Sequence, residues 1–95
     1  MVHILARITV RPEAAKTAAG LLRNLVAESR KESGCVTYEL YQQADFPHIF
    51  QTVEKWRDKA SAEAHRKTPH VTAAIAAAGP LFAAVPEILT YNKLD

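Results

Sequence analysis

The chain has 95 residues, 12 basic and 10 acidic side chains and a formal net charge of +2, enough for one hydrophobic core and too few for two, so residues 1–95 are expected to form a single domain. Its basic residues are scattered, which argues against a nucleic-acid-binding face, and no apolar run approaches the ~20 residues of a membrane span. The N-terminal stretch lacks a secretory pattern and the single cysteine, Cys35, excludes an intramolecular disulfide, so a soluble cytoplasmic protein is expected.

Val2–Arg11 alternates. Val2, Ile4, Ala6, Ile8 and Val10 point one way, and His3, Leu5, Arg7, Thr9 and Arg11 the other, which is the period of a half-buried strand. Pro12 ends it and suits the first turn of a helix. From Glu13 to about Glu32 the period lengthens. Ala15, Ala18, Leu22, Leu25, Val26 and Ser29 recur at spacings of three and four, opposite Lys16, Arg23, Glu28 and Lys31, predicting an amphipathic helix. Ser33–Gly34 stops it, with Gly34 expected as a left-handed cap.

Cys35–Gln43 and His48–Trp56 are rich in β-branched and aromatic residues and are joined through a short Pro-containing connection, a hairpin pattern. Asp58 is a plausible cap for the helix of "KASAEAHRK". Thr68–Pro69 breaks that helix and restarts it as "PHVTAAIAAA", which runs to Gly79–Pro80. "LFAAV" predicts one more helical turn before Pro86, and "EILTYNKLD" a last strand.

The order is β-α-β-β-α-β. It predicts an α+β, ferredoxin-like split: a four-stranded antiparallel sheet with its helices on one face. A chain this short buries only about 60–65% of its extended surface, and the uncovered sheet face keeps apolar side chains, so pairing with a second copy is expected.

The segment Glu54–His70, "EKWRDKASAEAHRKTPH", concentrates chemistry. Glu54 and Trp56 share one face of a strand. His65 lies near the end of one helix and His70 begins the next, so the break at Thr68–Pro69 opens a gap above the sheet with both imidazoles at its rim. A carboxylate, an indole and two imidazoles around a hydrophobic gap describe a small-molecule pocket. The two histidines are five residues apart with no third ligand at familiar spacing, and nothing reads as HExxH, so no metal site is expected. Glu63, Arg66 and Lys67 are explained as a solvated face.

These residues resemble a known family. "ESGCVTYELYQQADFPHIFQTVEKWRDKASAEAHRKTPHV" is similar to the central block of the antibiotic biosynthesis monooxygenases, whose Gly-Cys with a following Tyr, Pro-containing turn, ExW, AxxAH and TPH elements match Gly34-Cys35, Tyr38, Pro47, Glu54–Trp56, Ala62–His65 and Thr68–His70. The resemblance implies a ferredoxin-like unit that pairs into a homodimeric α/β barrel. It also implies a cofactor-independent monooxygenase that joins molecular oxygen to a small electron-rich aromatic such as a hydroquinone or anthrone, with no metal and no cofactor.

Triplet oxygen reacts slowly with closed-shell molecules, but a phenolate or carbanion can give it one electron directly. The protein then has to bind the aromatic, remove a proton and steady the anion. Histidine, with an ordinary pKa of ~6.5, suits the base, and His65 or His70 is expected in that role. Glu54 is expected to orient an imidazole or hold a proton, Trp56 and Tyr38 to wall the pocket, and Cys35 to be a small buried hydrophobe.

Two other readings remain open. An isomerase of a phosphorylated dicarbonyl compound carries a similar TPH block and would use His3, Arg7 and Arg66 for the phosphate. A dimeric barrel that binds a small molecule without turnover is the other. In haem-degrading relatives an axial histidine falls near Ile75, where this chain has none.

Overall fold

The computed structural model describes residues 1–95. Strand β1 (Val2–Thr9) buries Ile4, Ala6 and Ile8 and exposes Arg7, as its alternation requires. It stops short of Arg11, although Val10 keeps the register with the strand it pairs with and changes partner only on its other edge. Val10 N donates to His48 O at 3.0 Å, Arg11 N donates to Leu81 O at 2.9 Å, and Val10 bridges to Phe82.

Pro12–Ala14 form one 3-10 turn, and helix α1 (Ala15–Ser29) buries Ala18, Leu22, Val26 and Ser29, the stripe its spacing marks. The helix does not reach Glu32. Lys31 N and Glu32 N donate to Glu28 O and Ser29 O at 3.2 and 3.1 Å, so the chain tightens into i to i−3 turns and brings the Glu32 side chain to 16% exposure. Gly34 is not a left-handed cap, since no glycine has a positive φ. A side chain there would collide with the next helix, because a Cβ would lie 2.2 Å from Ser61 Cβ.

Strands β2 (Cys35–Gln42) and β3 (Ile49–Trp56) pair antiparallel with Tyr38 opposite Glu54. A register shift between Cys35 and Thr37 inserts Val36 as a bulge, so that Cys35 and Tyr38 both reach the helix side. Helix α2 (Lys59–Arg66) starts at Asp58, whose Oδ1 accepts from Ser61 N at 2.7 Å. Helix α3 (Pro69–Ala78) starts at Thr68, whose Oγ1 accepts from Val71 N at 3.4 Å. The interruption between them falls where Thr68–Pro69 predicts it.

The turn expected over "LFAAV" is displaced. It lies at Gly79–Leu81, with Pro80 in its first turn, and Phe82 is already extended. Phe82 and Ala83 then follow the end of β1, Ala83 N donating to Thr9 O at 2.9 Å. Strand β4 spans Glu87–Tyr91, shorter than the predicted strand to Asp95. It is an edge strand, bonded only to β1.

The sheet order is β2-β3-β1-β4, wholly antiparallel, with flanking helices. Two core clusters form beneath the helices. One gathers Ile4, Val26, Tyr38, Trp56 and Ala62, the other Ile8, Val10, Ala18, Leu22 and Phe50. On the opposite face Leu89, Leu5 and Val53 stand side by side across β4, β1 and β3, an apolar row with Leu89 45% exposed. No helix is long and apolar enough to cross a membrane.

Candidate active site

A cavity of about 440 Å³ opens between the two core clusters. Its floor is sheet: Ile4, Ala6 and Ile8 of β1, Tyr38 of β2, and Thr52 and Glu54 of β3. Leu22 and Leu25 of α1, Val71, Ala74, Ile75 and Ala78 of α3, and Phe82, Pro86 and Ile88 form its walls. The small side chains Ala74 and Ala78 leave the space, and the volume suits a small molecule. Ile75, Ile88 and Arg66 are exposed and mark its mouth.

His65 is the imidazole that opens on this cavity. It is buried at the end of α2, its ring 4.4 Å from the Trp56 ring at an interplanar angle of 35°. Its Nδ1 lies 2.7 Å from Glu32 Oε2, and the same oxygen lies 2.8 Å from His70 Nε2. An ionised carboxylate only accepts, so this arrangement places the protons on His65 Nδ1 and His70 Nε2. The lone pair of His65 is then on Nε2, which makes no hydrogen bond within the chain and is not sealed from solvent. A carboxylate-held imidazole with its second nitrogen free can take a proton and carry the resulting charge.

The sequence leads to the histidines but not to the group that holds them. Glu54 carries the expectation of orienting an imidazole, whereas its carboxylate is occupied by neutral donors: Thr52 Oγ1 donates to Oε2 at 2.7 Å and Trp56 Nε1 to Oε1 at 3.0 Å. Glu32 holds both imidazoles instead. It lies 33 residues from His65 and 38 from His70, so no local spacing announces it. Glu54 and Trp56 do share the helix-covered face, and Glu54 lines the cavity floor. Trp56 is fully buried and backs His65 rather than walling the cavity, and His70 lies behind Glu32, away from the lining.

Glu32, His65 and His70 also supply the third ligand that sequence spacing lacks, with all three donor atoms within 4.8 Å of one another. Two imidazoles and a carboxylate are ligands a divalent cation accepts. Bonds of ~2.1 Å to one ion, however, hold its ligand atoms about 3 Å or more apart. Contacts of 2.7 and 2.8 Å are hydrogen bonds, which an ion would have to displace by spreading the three side chains.

Tyr38 does line the cavity, its ring 6.2 Å from Trp56 edge-on and 5.6 Å from His65. Burial, reinforced by the charge of Glu54, pushes its phenol well above the ordinary value of 10.0, while the Ser29 hydroxyl acts the other way. The phenol therefore stays protonated and can donate. Its contribution to stability is complete below pH about 10 and is lost as the pH rises beyond it, where the unfolded chain ionises and the folded one does not. Alkaline titration followed by phenolate absorbance should show at most two of the three tyrosines ionising before the protein unfolds. Reversible ionisation of all three in the folded state would contradict this burial. Cys35, half-buried against the first cluster, has its thiol raised by burial and then by Glu32 and Glu54, so it is kept from the thiolate form a nucleophile needs.

Comparison with known proteins agrees with this architecture. The chain is 30% identical over 94 residues to Rv0793 of Mycobacterium tuberculosis, covering 99% of this chain and 92% of that protein, and 29% identical over 89 residues to YcnE of Bacillus subtilis, covering 94% of each. Both relatives are named, provisionally, as monooxygenases. The solved structure of Rv0793 superposes with a TM-score of 0.91 over 99% of this chain and 95% of that one. A crystal structure described as an antibiotic biosynthesis monooxygenase does so at 0.95, with 25% identity and full coverage of both chains. PA3566 of Pseudomonas aeruginosa, 34% identical, gives 0.91 over 99% and 94%. The profile of the family described as antibiotic biosynthesis monooxygenase matches residues 1–77. The chain belongs to that family.

Proposed function

We propose that the protein is a cofactor-independent monooxygenase that oxidises a small electron-rich aromatic, a hydroquinone or an anthrone-like phenol, with molecular oxygen. Family membership supports the oxidoreductase class, and the observation that carries the finer reading is the apolar cavity lined by His65, whose Nδ1 is held by Glu32 and whose Nε2 is left unbonded.

In this reading the aromatic lies between the α3 wall and the sheet. His65 Nε2 takes the acidic proton of the substrate, and the imidazolium is stabilised by Glu32, itself held by His70. The electron-rich anion gives one electron to oxygen, and the radical pair joins as a C–O bond to form a peroxide. His65 returns its proton to the distal oxygen and, neutral again, takes the remaining proton from the oxygenated carbon as the C=O forms and the O–O bond breaks; the departing hydroxide gains that proton and leaves as water. For an anthrone the balance is substrate CH₂ plus O₂ to C=O plus H₂O, so no external reductant is needed. The Tyr38 phenol donates to the oxygen that gathers charge, and Trp56 fixes the plane of His65.

The isomerase reading has less support. His3 and Arg7 lie on the sheet face opposite the cavity floor, which leaves Arg66 alone of the three cationic candidates at the cavity. Oxygen consumption by metal-free protein with a panel of hydroquinones and anthrones, after subtraction of autoxidation, tests the proposal. Protein-dependent uptake supports it. Uptake no faster than background with every member would overturn it.

A second copy is proposed to cover the Leu89–Leu5–Val53 row and close the barrel. Sedimentation should show a dimer that Leu89→Glu converts to monomer, a substitution the half-exposed site tolerates within one chain. A monomeric parent, or a Leu89→Glu protein that still pairs, would contradict it.

A further inference from the structure

Sequence pattern reads Arg66 as part of a solvated helix face, or as a phosphate ligand in the isomerase alternative, and the fold sets it at the cavity mouth. It ends α2, next to His65, and is the only permanently cationic residue lining the cavity. Arg11 and Arg57 are engaged by Glu13 and Asp58, and Arg30 donates to Tyr38 O; Arg66 makes no ion pair and no side-chain hydrogen bond within the chain. The acidic side chain on the lining is Glu54, at the floor, with both oxygens occupied by Thr52 and Trp56. The cavity is thus polarised: a satisfied carboxylate at the bottom, apolar walls between, and an unpaired guanidinium at the rim.

We propose that Arg66 selects an aromatic substrate bearing a carboxylate, with the rings between α3 and the sheet and the carboxylate at the mouth against the guanidinium. The inference rests on the aromatic-cavity reading above and adds the substrate's charge and orientation to it. A guanidinium fork matches a carboxylate with two parallel hydrogen bonds, which a lysine in the same place cannot do. The apolar walls favour a fused ring over a phosphorylated open-chain compound, whose hydroxyl and carbonyl groups would lose water without gaining partners there. Anchoring at the rim also fixes which edge of the ring meets His65 Nε2, so Arg66 would be a positioning residue as well as a selective one.

The test is equilibrium binding without oxygen, followed through the fluorescence of the single tryptophan, Trp56. The ligands are dihydroxynaphthoate and dihydroxynaphthalene, the same bicycle with and without a carboxylate. The parent protein should prefer the carboxylate by about ten- to a hundredfold, the range of a charge-assisted bond, and the preference should shrink with added salt. In Arg66→Gln the ratio should fall toward one, with Arg66→Lys between.

Binding of both ligands without preference, or a preference that survives in Arg66→Gln, would overturn this inference and leave the monooxygenase reading standing. A carboxylate preference in a protein that consumes no oxygen would support Arg66 and sink the monooxygenase. Failure to bind either ligand would overturn this inference, whereas the monooxygenase reading stands or falls on oxygen uptake with the hydroquinone and anthrone panel.

Discussion

His65→Ala should lower protein-dependent oxygen uptake by about 10²–10⁴-fold, the usual contribution of a positioned general base. The loss should fall on kcat, with KM little changed, because aromatic binding is assigned to the cavity walls. Imidazole added to the buffer should restore part of the activity, since the substitution empties a ring-sized space beside Trp56. Glu32→Gln should behave similarly. Its amide nitrogen can donate to His65 Nδ1, which would move the ring proton to Nε2, the wrong side for a base. His70→Ala should cost less, because it removes one of the two donors on Glu32 and leaves the Glu32–His65 contact intact. Circular dichroism and Trp56 emission identify any variant that has merely unfolded, and His65→Gln gives a milder replacement to compare. A His65→Ala protein with parental kcat would remove His65 from the chemistry.

Gly34→Ala should be the costliest Gly→Ala change in the chain. The new Cβ would meet Ser61 Cβ and Oγ, both at 2.2 Å, whereas nothing lies within 4 Å of a Cβ at Gly20 or Gly79. The clash cannot be relieved by a rotamer change, because Ser61 Cβ is fixed to the α2 backbone. Gly34 O also accepts from Arg57 N at 2.8 Å, which ties the two segments together. Overpacking of this kind costs about 1–3 kcal/mol and here is expected at the upper end. Thermal or denaturant unfolding measures it, with Gly20→Ala as the control. Pairing the change with Ser61→Gly should recover much of the loss, a coupling between contacting sites that a double-mutant cycle reads directly. Because α2 carries His65 at its far end, Gly34→Ala should also reduce turnover at temperatures where it remains folded. Unfolding at the parental midpoint would contradict the close approach.

The alternation of β1 and the buried stripe of α1 are legible in the sequence because each depends on its own element meeting one core. The capped starts of α2 at Asp58 and α3 at Thr68 are local as well. What is not legible depends on partners distant in the chain. At the end of β1, Val10 bridges to Phe82 and Arg11 bonds to Leu81, and "LFAAV" leaves the helical path to follow it. The bulge at Val36 decides that Tyr38 reaches the cavity, yet nothing in "CVTYELY" marks it.

The candidate site divides in the same way. The histidines stand out by residue type and by the helix break between them. Glu32 does not, because it reads as the polar end of an amphipathic helix until two 3-10 turns bring it under α2 and α3. Trp56 reads as a pocket wall because aromatic residues often are, while the register places it behind His65 as a donor to Glu54. Gly34 reads as a cap from its position after a helix, and only the approach of Ser61 explains why the residue is glycine.

In the proposed reaction the protein turns a bound phenol into its oxygen-reactive anion through His65. An anaerobic spectral titration of metal-free protein with a hydroquinone or anthrone at neutral pH tests it most directly. A phenolate-type absorption should form on binding to the parent protein, be missing with His65→Ala, and decay when oxygen is admitted. A ligand that binds the parent protein but keeps the spectrum of its neutral form until oxygen oxidises it would contradict the account.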